Sequence, residues 1–267
     1  MFRVLIIRKN ETRHRALVAY LRQANFEVHE VVEVIQRQES ISQPSNLIEQ
    51  HFNARSLVEA DFFEEVISAK FSVSERNFVQ VFSCNTTEAL EFARRVAPDF
   101  IITFGCSILN STWISEYKNK ILGIHLGLSP YYRGSGTNFF PIVNKELSAL
   151  GFTLMNLDEG IDTGNIICQG RANIVIGDGI HTIGTRIMKV MFKEIVSILN
   201  ERTDLSDSAV QPKVKRGYLY RKRDFNESTL RMALNNLNSG LVEEYLSRKI
   251  ELDMEFPIVK KVKKVAT

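Results

Sequence analysis

"GIHLGLSPYYRG" occupies residues 123–134. Its lone histidine, His125, closes the apolar run Ile121-Leu122-Gly123-Ile124, which reads as a buried strand. The next residues can neither extend that strand nor begin a helix cleanly, because Pro130 lacks an N–H and restricts Ser129 before it. A polar side chain therefore stands where a buried strand gives way to an irregular loop. In open α/β sheets that is where ligands bind, in the crevice beyond the strand ends.

Outward from this stretch, strands and helices alternate. Residues 2–7 form a β-rich apolar run, followed by a polar loop over 8–13 and a helical pattern with Leu17, Val18 and Leu21 on one face. Residues 26–34 alternate as a second strand or strand pair, so the chain opens as a βαβ unit. Residues 44–72 read as a long helix whose apolar stripe is Leu57, Phe62, Phe63, Val66 and Ile67. A short strand is expected at 78–82, and Thr86 or Thr87 caps a helix that ends before Pro98. Residues 100–104, apolar except for Thr103, suit the centre of a parallel sheet. Beyond His125 the pattern predicts a helix over 139–146 and a strand over 151–157. A charged glycine turn over 158–164, a strand at 166–168 and a long amphipathic helix over 180–199 come next. Residues 201–212 read as a polar linker. The remainder reads as a short strand at Tyr218-Leu219-Tyr220 and two helices split near Gly240. The fold class is thus α/β, a Rossmann-like, mostly parallel sheet with flanking helices over residues 1–203. A small, mainly helical C-terminal appendage is expected over 213–267.

The composition excludes several classes. Of 267 residues, 44% are apolar and 24% charged, ordinary for a globular protein. Thirty-four basic side chains against 31 acidic ones leave +3, too little to argue for nucleic acid. The excess gathers late, in Lys213-Val214-Lys215-Arg216, Arg221-Lys222-Arg223 and a basic tail at 260–264, without the interleaved aromatics of a stacking platform beyond Tyr218, Tyr220 and Phe225. Cys84, Cys106 and Cys168 are far apart and show no metal-ligand spacing, so neither a zinc site nor a disulfide framework is expected. No apolar run approaches the ~20 residues of a membrane span, and the N-terminus does not resemble a signal peptide. A cytoplasmic location is the expectation.

Three segments carry chemistry: "FGCSILN" (104–110), the His125 stretch, and "LDEGIDTGNII" (157–167). All three are expected at the C-terminal ends of strands, at one edge of a parallel sheet. Acidic residues and glycines are common in hairpin turns, and a lone strand-end histidine is commonly structural. Together at one edge they describe a site, since a carboxylate raises and orients an imidazole for acid–base work.

The sequence here resembles the folate-dependent formyltransferases, which include glycinamide ribonucleotide, methionyl-tRNA and nucleotide-sugar N-formyltransferases. Their pattern is Asn-x-His-x-x-x-x-Pro-x-Tyr-Arg-Gly and then a D-E-G-x-D-T-G turn. His125, Pro130, Tyr132, Arg133 and Gly134 match the first, and Asp158-Glu159-Gly160-Ile161-Asp162-Thr163-Gly164 match the second. The resemblance covers roughly residues 75–200 well and the opening unit loosely. It implies transfer of a formyl group from N10-formyltetrahydrofolate to a primary amine, without a metal. By the same resemblance His125 and Asp162 are the catalytic pair. The pterin would lie against Cys106, Ser107, Ile108 and Leu109 and against Asp158, Glu159, Gly160 and Ile161.

One departure touches the chemistry. The family asparagine two residues before the histidine, an oxyanion donor, is Gly123 here. Losing such a donor costs on the order of 10²–10³ in rate. Either another donor, such as Asn138 or a backbone N–H, substitutes, or the protein is a weakened or inactive relative, or the chain is an altered variant of an active enzyme. Met155 also stands where many relatives have histidine, and Leu126-Gly127 replaces Pro-Ser. For the acceptor, the loop after the first strand offers Arg8, Lys9, Arg13, His14 and Arg15, and its arginine forks suit phosphate or carboxylate. Tyr132, Arg133 and Asn138 complete the expected acceptor side. The short appendage and this loop point to an amino sugar, nucleotide-linked or acidic, as small-molecule partner. A catalytically impaired folate-binding protein and a methionyl-tRNA formyltransferase-like enzyme are the alternatives, nucleic acid is not expected as a ligand, and a homodimer is left open.

Overall fold

The computed structural model describes residues 2–34, 45–69, 77–171 and 173–260. The chain opens with β1 (Arg3–Arg8), α1 (Thr12–Gln23), β2 (Glu27–Glu33), α2 (Asn46–Ser68), β3 (Phe78–Val81), α3 (Thr87–Val96) and β4 (Phe100–Phe104). It continues through α4 (Ser111–Glu116), β5 (Ile121–His125), β6 (Tyr132–Gly134), α5 (Phe140–Val143), β7 (Phe152–Asn156), β8 (Ile166–Gly170) and α6 (Ile180–Asn200). It ends with β9 (Tyr218–Tyr220), α7 (Glu227–Asn238), α8 (Leu241–Ser247) and α9 (Lys249–Glu255). Thr86 is the cap of α3, its hydroxyl accepting from Ala89 N.

Among the described residues, seven strands form one sheet in the order β3-β2-β1-β4-β5-β7-β8. The first five are parallel, because each consecutive pair is joined by a helical crossover. β7 and β8 run antiparallel, joined by the tight acidic turn. β1 pairs with β2 on one side and β4 on the other, so the loops after β1 and β4 diverge and open a crevice between them. Val4, Leu5, Ile6, Ile7, Ile101 and Ile102 are wholly buried, as strands covered on both faces must be.

One face of the sheet packs on α1, α2 and α6 through Leu17, Phe63, Ile187, Met191 and Phe192, and the same apolar cluster takes in Leu230, Ala233, Leu241 and Tyr245 from the C-terminal helices. The other face packs on Ala89, Phe92, Trp113 and Tyr117 from the α3–α4 side. Burying one such side chain is worth about 1.5–3 kcal/mol. Replacing Phe192 with alanine would cost about 3–5 kcal/mol.

Several expectations change in detail. The helix expected over 139–146 is only the four residues of α5, because Pro141 starts it and Lys145 leaves it at φ +58°. Leu57, placed in the apolar stripe of α2, is 72% exposed, whereas Phe63 and Val66 are buried. The two expected C-terminal helices are three, because Arg248 at φ −122° and ψ 19° interrupts the run between α8 and α9. The ends of the 44–72 helix at 44 and 70–72, and the basic tail at 261–264, lie outside the described residues.

Candidate active site

His125 is the last residue of β5 and is 5% exposed. Its Nε2 donates to the Tyr132 carbonyl at 2.8 Å, which leaves Nδ1 facing the Asp162 carboxylate at 3.3 Å. Asp162 Oδ2 also accepts from Gly134 N at 2.7 Å. The expected common edge is corrected by the register: β7 is antiparallel, pairing Asn156 with Leu122 and Thr153 with His125. Its end therefore lies beside the start of β5, and the turn must run back along β5 to bring Asp162 to His125. Asp162 makes that reversal at φ +53°. Two backbone features fix the dyad. A Cβ at Gly134, at φ +91°, would strike the Tyr220 carbonyl, and one at Gly127 would lie 2.6 Å from His125 Nε2. Larger residues at either place would displace the imidazole or its partner.

Gln211 is a residue the sequence pattern did not single out. Its side-chain amide donates to the carbonyls of Asp162 at 2.8 Å and Gly164 at 2.9 Å. The polar segment expected as a linker thus straps the acidic turn, aided by the Ile166–Ala209 bridge, with both N···O distances at 2.7 Å. Within the turn, Asp158 Oδ1 accepts from Gly160 N and the Thr163 hydroxyl. Asp158, Glu159, Gly160 and Ile161 are all exposed at the surface. Asp158 and Glu159 line a cleft of about 550 Å³ with Leu157, Ile121 and the α4 residues Ser111 and Ile114. Cys106, Ser107, Ile108 and Leu109 come after β4. Ile108 is 65% exposed and Leu109 is buried, and neither is among the lining side chains of that cleft. The loop is anchored by Glu33, a second residue outside the sequence expectations. Its buried carboxylate accepts from Ser107 N at 2.8 Å and Cys84 N at 3.0 Å. The available signal was a carboxylate within the apolar run Val31-Val32-Glu33-Val34.

The cations of the first loop are placed differently from expectation. Arg8 is buried and forked onto Glu30, which Arg22 also reaches at 2.5 Å. Arg13 pairs with Glu59 at 2.5 Å and Glu11 at 3.4 Å. A buried charge without a partner would be expelled, so these guanidiniums are already spent on the fold. Lys9 is half-buried and Arg15 exposed, and neither makes an ion pair among the described residues. His14, which the first loop also offers, turns inward instead and joins this loop to the β4 loop. Its ring meets Phe104 edge-on at 4.7 Å, and Nδ1 accepts from Glu11 N. Burial, with the charges of Arg13 and Arg8, pushes its pKa down to about 2.

Tyr132 is wholly buried, donating to Glu146 and accepting from Asn144 at 2.8 Å. It belongs to the aromatic packing around β9, with Tyr218 at 4.9 Å, and not to an open surface. Asn138 uses its side-chain oxygen to accept from Gly151 N at 3.0 Å. Arg133 is half-buried, and among the described residues its buried Nε has no hydrogen-bond partner. At Gly123 the space of the missing side chain is filled: an added Cβ would lie 2.4 Å from Leu157 Cδ2. Among the described residues no three His, Cys, Asp or Glu side chains group as metal ligands. No helix among them is long and apolar enough to cross a membrane.

The family model described as formyl transferase matches residues 2–199. Among curated proteins, the methionyl-tRNA formyltransferase of Finegoldia magna is 27% identical over 91 residues, covering 34% of this chain and 29% of the relative. The GDP-perosamine N-formyltransferase of Brucella melitensis is 32% identical over 93 residues, 34% of this chain and 36% of the relative. The matches thus span about a third of those relatives' own length. Among solved structures, an N-formyltransferase from Helicobacter canadensis in complex with folinic acid and dTDP-3-aminofucose aligns with a TM-score of 0.55 at 19% identity, covering 89% of this chain and 81% of that one. A sugar N-formyltransferase from a Shewanella species aligns with a TM-score of 0.55 at 16% identity, over 89% and 88% of the two chains. At such identities these structures share the fold.

Proposed function

Since the chain belongs to the formyl transferase family, we propose that it is an enzyme that moves a formyl group from N10-formyltetrahydrofolate to the primary amine of an amino sugar, nucleotide-linked or acidic. The observation that carries this reading is the pairing of buried His125 with half-buried Asp162, with 3.3 Å between Nδ1 and Oδ2. An amine attacking a formyl carbon must shed a proton, and the formyl oxygen carries negative charge until the old C–N bond breaks. With Nε2–H given to the Tyr132 carbonyl, the proton is taken at the Nδ1–Asp162 side, and the imidazolium so formed is the positive partner of the oxyanion. The Tyr132 carbonyl and Gly134 N–H hold the two members of the pair in register. The cleft beside Leu157, Asp158 and Glu159 supports a folate site, since about 550 Å³ falls within the usual range for small-molecule pockets. The amino-sugar acceptor is supported by the relative named for GDP-perosamine and by the sugar N-formyltransferases that share the fold. Lys9 and Arg15 are the loop cations left to meet a phosphate or carboxylate on it.

A second reading, a folate-binding protein without turnover, is favoured by Leu157 occupying the place beside Gly123. Calorimetry with 5- and 10-formyltetrahydrofolate, followed by mass spectrometry of nucleotide-linked amino sugars incubated with the 10-formyl donor, separates the two. Binding with formylation is expected. Binding without transfer to any amine selects the second reading, and no heat with either folate removes both. Formylation of methionyl-tRNA in place of every sugar would move the acceptor.

A further inference from the structure

Cys84 lies after β3 and Cys106 after β4, yet the two meet. Cys84 is wholly buried and Cys106 half-buried, and both are free thiols. The Cys84 thiol donates to the carbonyl of Ser107, the residue next to Cys106, at 3.5 Å. Glu33 accounts for the proximity. One carboxylate oxygen accepts from Cys84 N and the other from Ser107 N, so a single side chain clamps both loops. Asn85 ties them again, donating to the Ile108 carbonyl at 2.8 Å and accepting from Asn110 N at 2.9 Å. Trp113 Nε1 adds a third tie, to the Cys84 carbonyl at 2.9 Å. Two cysteines on backbones held this close can be bridged with little movement, which the short reach of a disulfide requires.

We propose that Cys84 and Cys106 are a reversible thiol–disulfide site, oxidised by hydroperoxides, whose closure fixes the loop over 105–109. The half-buried Cys106 reacts first. Its thiolate attacks a peroxide oxygen, the O–O bond breaks, and hydrogen peroxide leaves a sulfenic acid and one water. The Cys84 sulfur then attacks the Cys106 sulfur, the S–O bond breaks and a second water departs. In sum, two thiols and one peroxide become one disulfide and two waters. The hydrogen bond to Cys106, burial and the Glu33 charge hold the Cys84 thiol well above its ordinary value, so Cys84 is not the residue that meets peroxide first, and its proton leaves with the sulfenic oxygen in the second water. Cys168 packs in the other apolar cluster and serves as an internal control.

Formation of the bond is independent of the formyl-transfer reading. The test treats the intact reduced chain with hydrogen peroxide, titrates thiols after denaturation, and maps the bridge by peptide mass spectrometry without reductant. The three thiols should fall to one, with Cys84 joined to Cys106, and dithiothreitol should restore all three. In Cys106→Ser, a half-buried change checked for folding by its melt, both remaining thiols should survive. Survival of all three thiols in the parent, or a bridge to Cys168, overturns the site. Amide hydrogen exchange of residues 105–109 is measured before and after oxidation, and slower exchange reversed by reductant is expected. Unaltered exchange in a bridged protein overturns the loop-fixing role.

Discussion

Two regions of this molecule are rich in ionisable side chains and obey opposite rules. Around β1, α1 and α2, Arg8, Arg22 and Arg13 are each matched to a buried carboxylate, Glu30 or Glu59. At the end of β5 a single imidazole meets a single carboxylate that is still 24% exposed and is held mainly by backbone groups. In the first region charge is neutralised internally, because desolvated ions are tolerated only when paired. In the second, the imidazole is buried while its carboxylate partner keeps part of its surface open to solvent. Charge density in the sequence therefore marks the first region more loudly, and availability marks the second.

The contrast is most exposed to test at the dyad. His125→Ala and Asp162→Ala should each lower formyl transfer by about 10²–10⁴ in kcat/KM. Each should also cost about 1–3 kcal/mol of stability, because the Tyr132 carbonyl or the Gly134 N–H loses its partner, so activity is compared at temperatures well below the melts. If both variants keep parent rates, the dyad is structural and the two regions no longer differ in kind.

Arg8→Ala should do the reverse. Leaving Glu30 short of a buried partner should cost about 3–5 kcal/mol in urea unfolding. Arg15→Ala, at an exposed position, should leave stability within about 0.5 kcal/mol while raising the KM of the acceptor. An acceptor KM insensitive to Arg15 and Lys9 would place the anionic group elsewhere.

Gly123 probes the active region from within. Gly123→Asn alone forces Leu157 aside and should be destabilised with little gain in rate. In a Leu157→Ala background the amide has room, and kcat should rise by about 10²–10³ over Leu157→Ala with little change in KM, as for a restored oxyanion donor. A neutral double variant in a briskly active parent would show that another donor already serves.

The first region also answers to pH, through His14. Its folded pKa, about 2, lies far below the usual imidazole value, so below about pH 6.5 the unfolded chain binds a proton that the folded chain refuses. The stability His14 contributes is full above that pH and is lost as pH falls toward 2. The slope is about 1.4 kcal/mol per pH unit while that mismatch lasts. His14→Asn should flatten urea-unfolding stability between pH 6 and about 4 relative to the parent, and an unchanged slope would mean that the folded chain protonates His14 readily.

Much of the frame was legible because it rests on local pattern. The Val/Ile runs of β1 and β4, the cap at Thr86 and the stripe of α6 each arise from periodicity and backbone chemistry within a few residues. The His125 and Asp162 motifs were legible as well, each lying within a dozen residues of sequence. The short α5 and the break at Arg248 were less so, since tertiary packing overrides helix propensity in such short pieces.

What the sequence determined by itself is therefore the α/β class, the strand-end histidine and the acidic turn, all products of short-range stereochemistry. What only the tertiary structure decided is who meets whom. The antiparallel register of β7 sends the turn back along β5, Gln211 straps it from 49 residues away, and Glu33 binds two loops that are 23 residues apart at Cys84 and Ser107. It also decided that Arg8 and Arg13 serve the fold. Pairing and burial depend on which elements pack together, and no local pattern encodes the distance between two side chains on different strands.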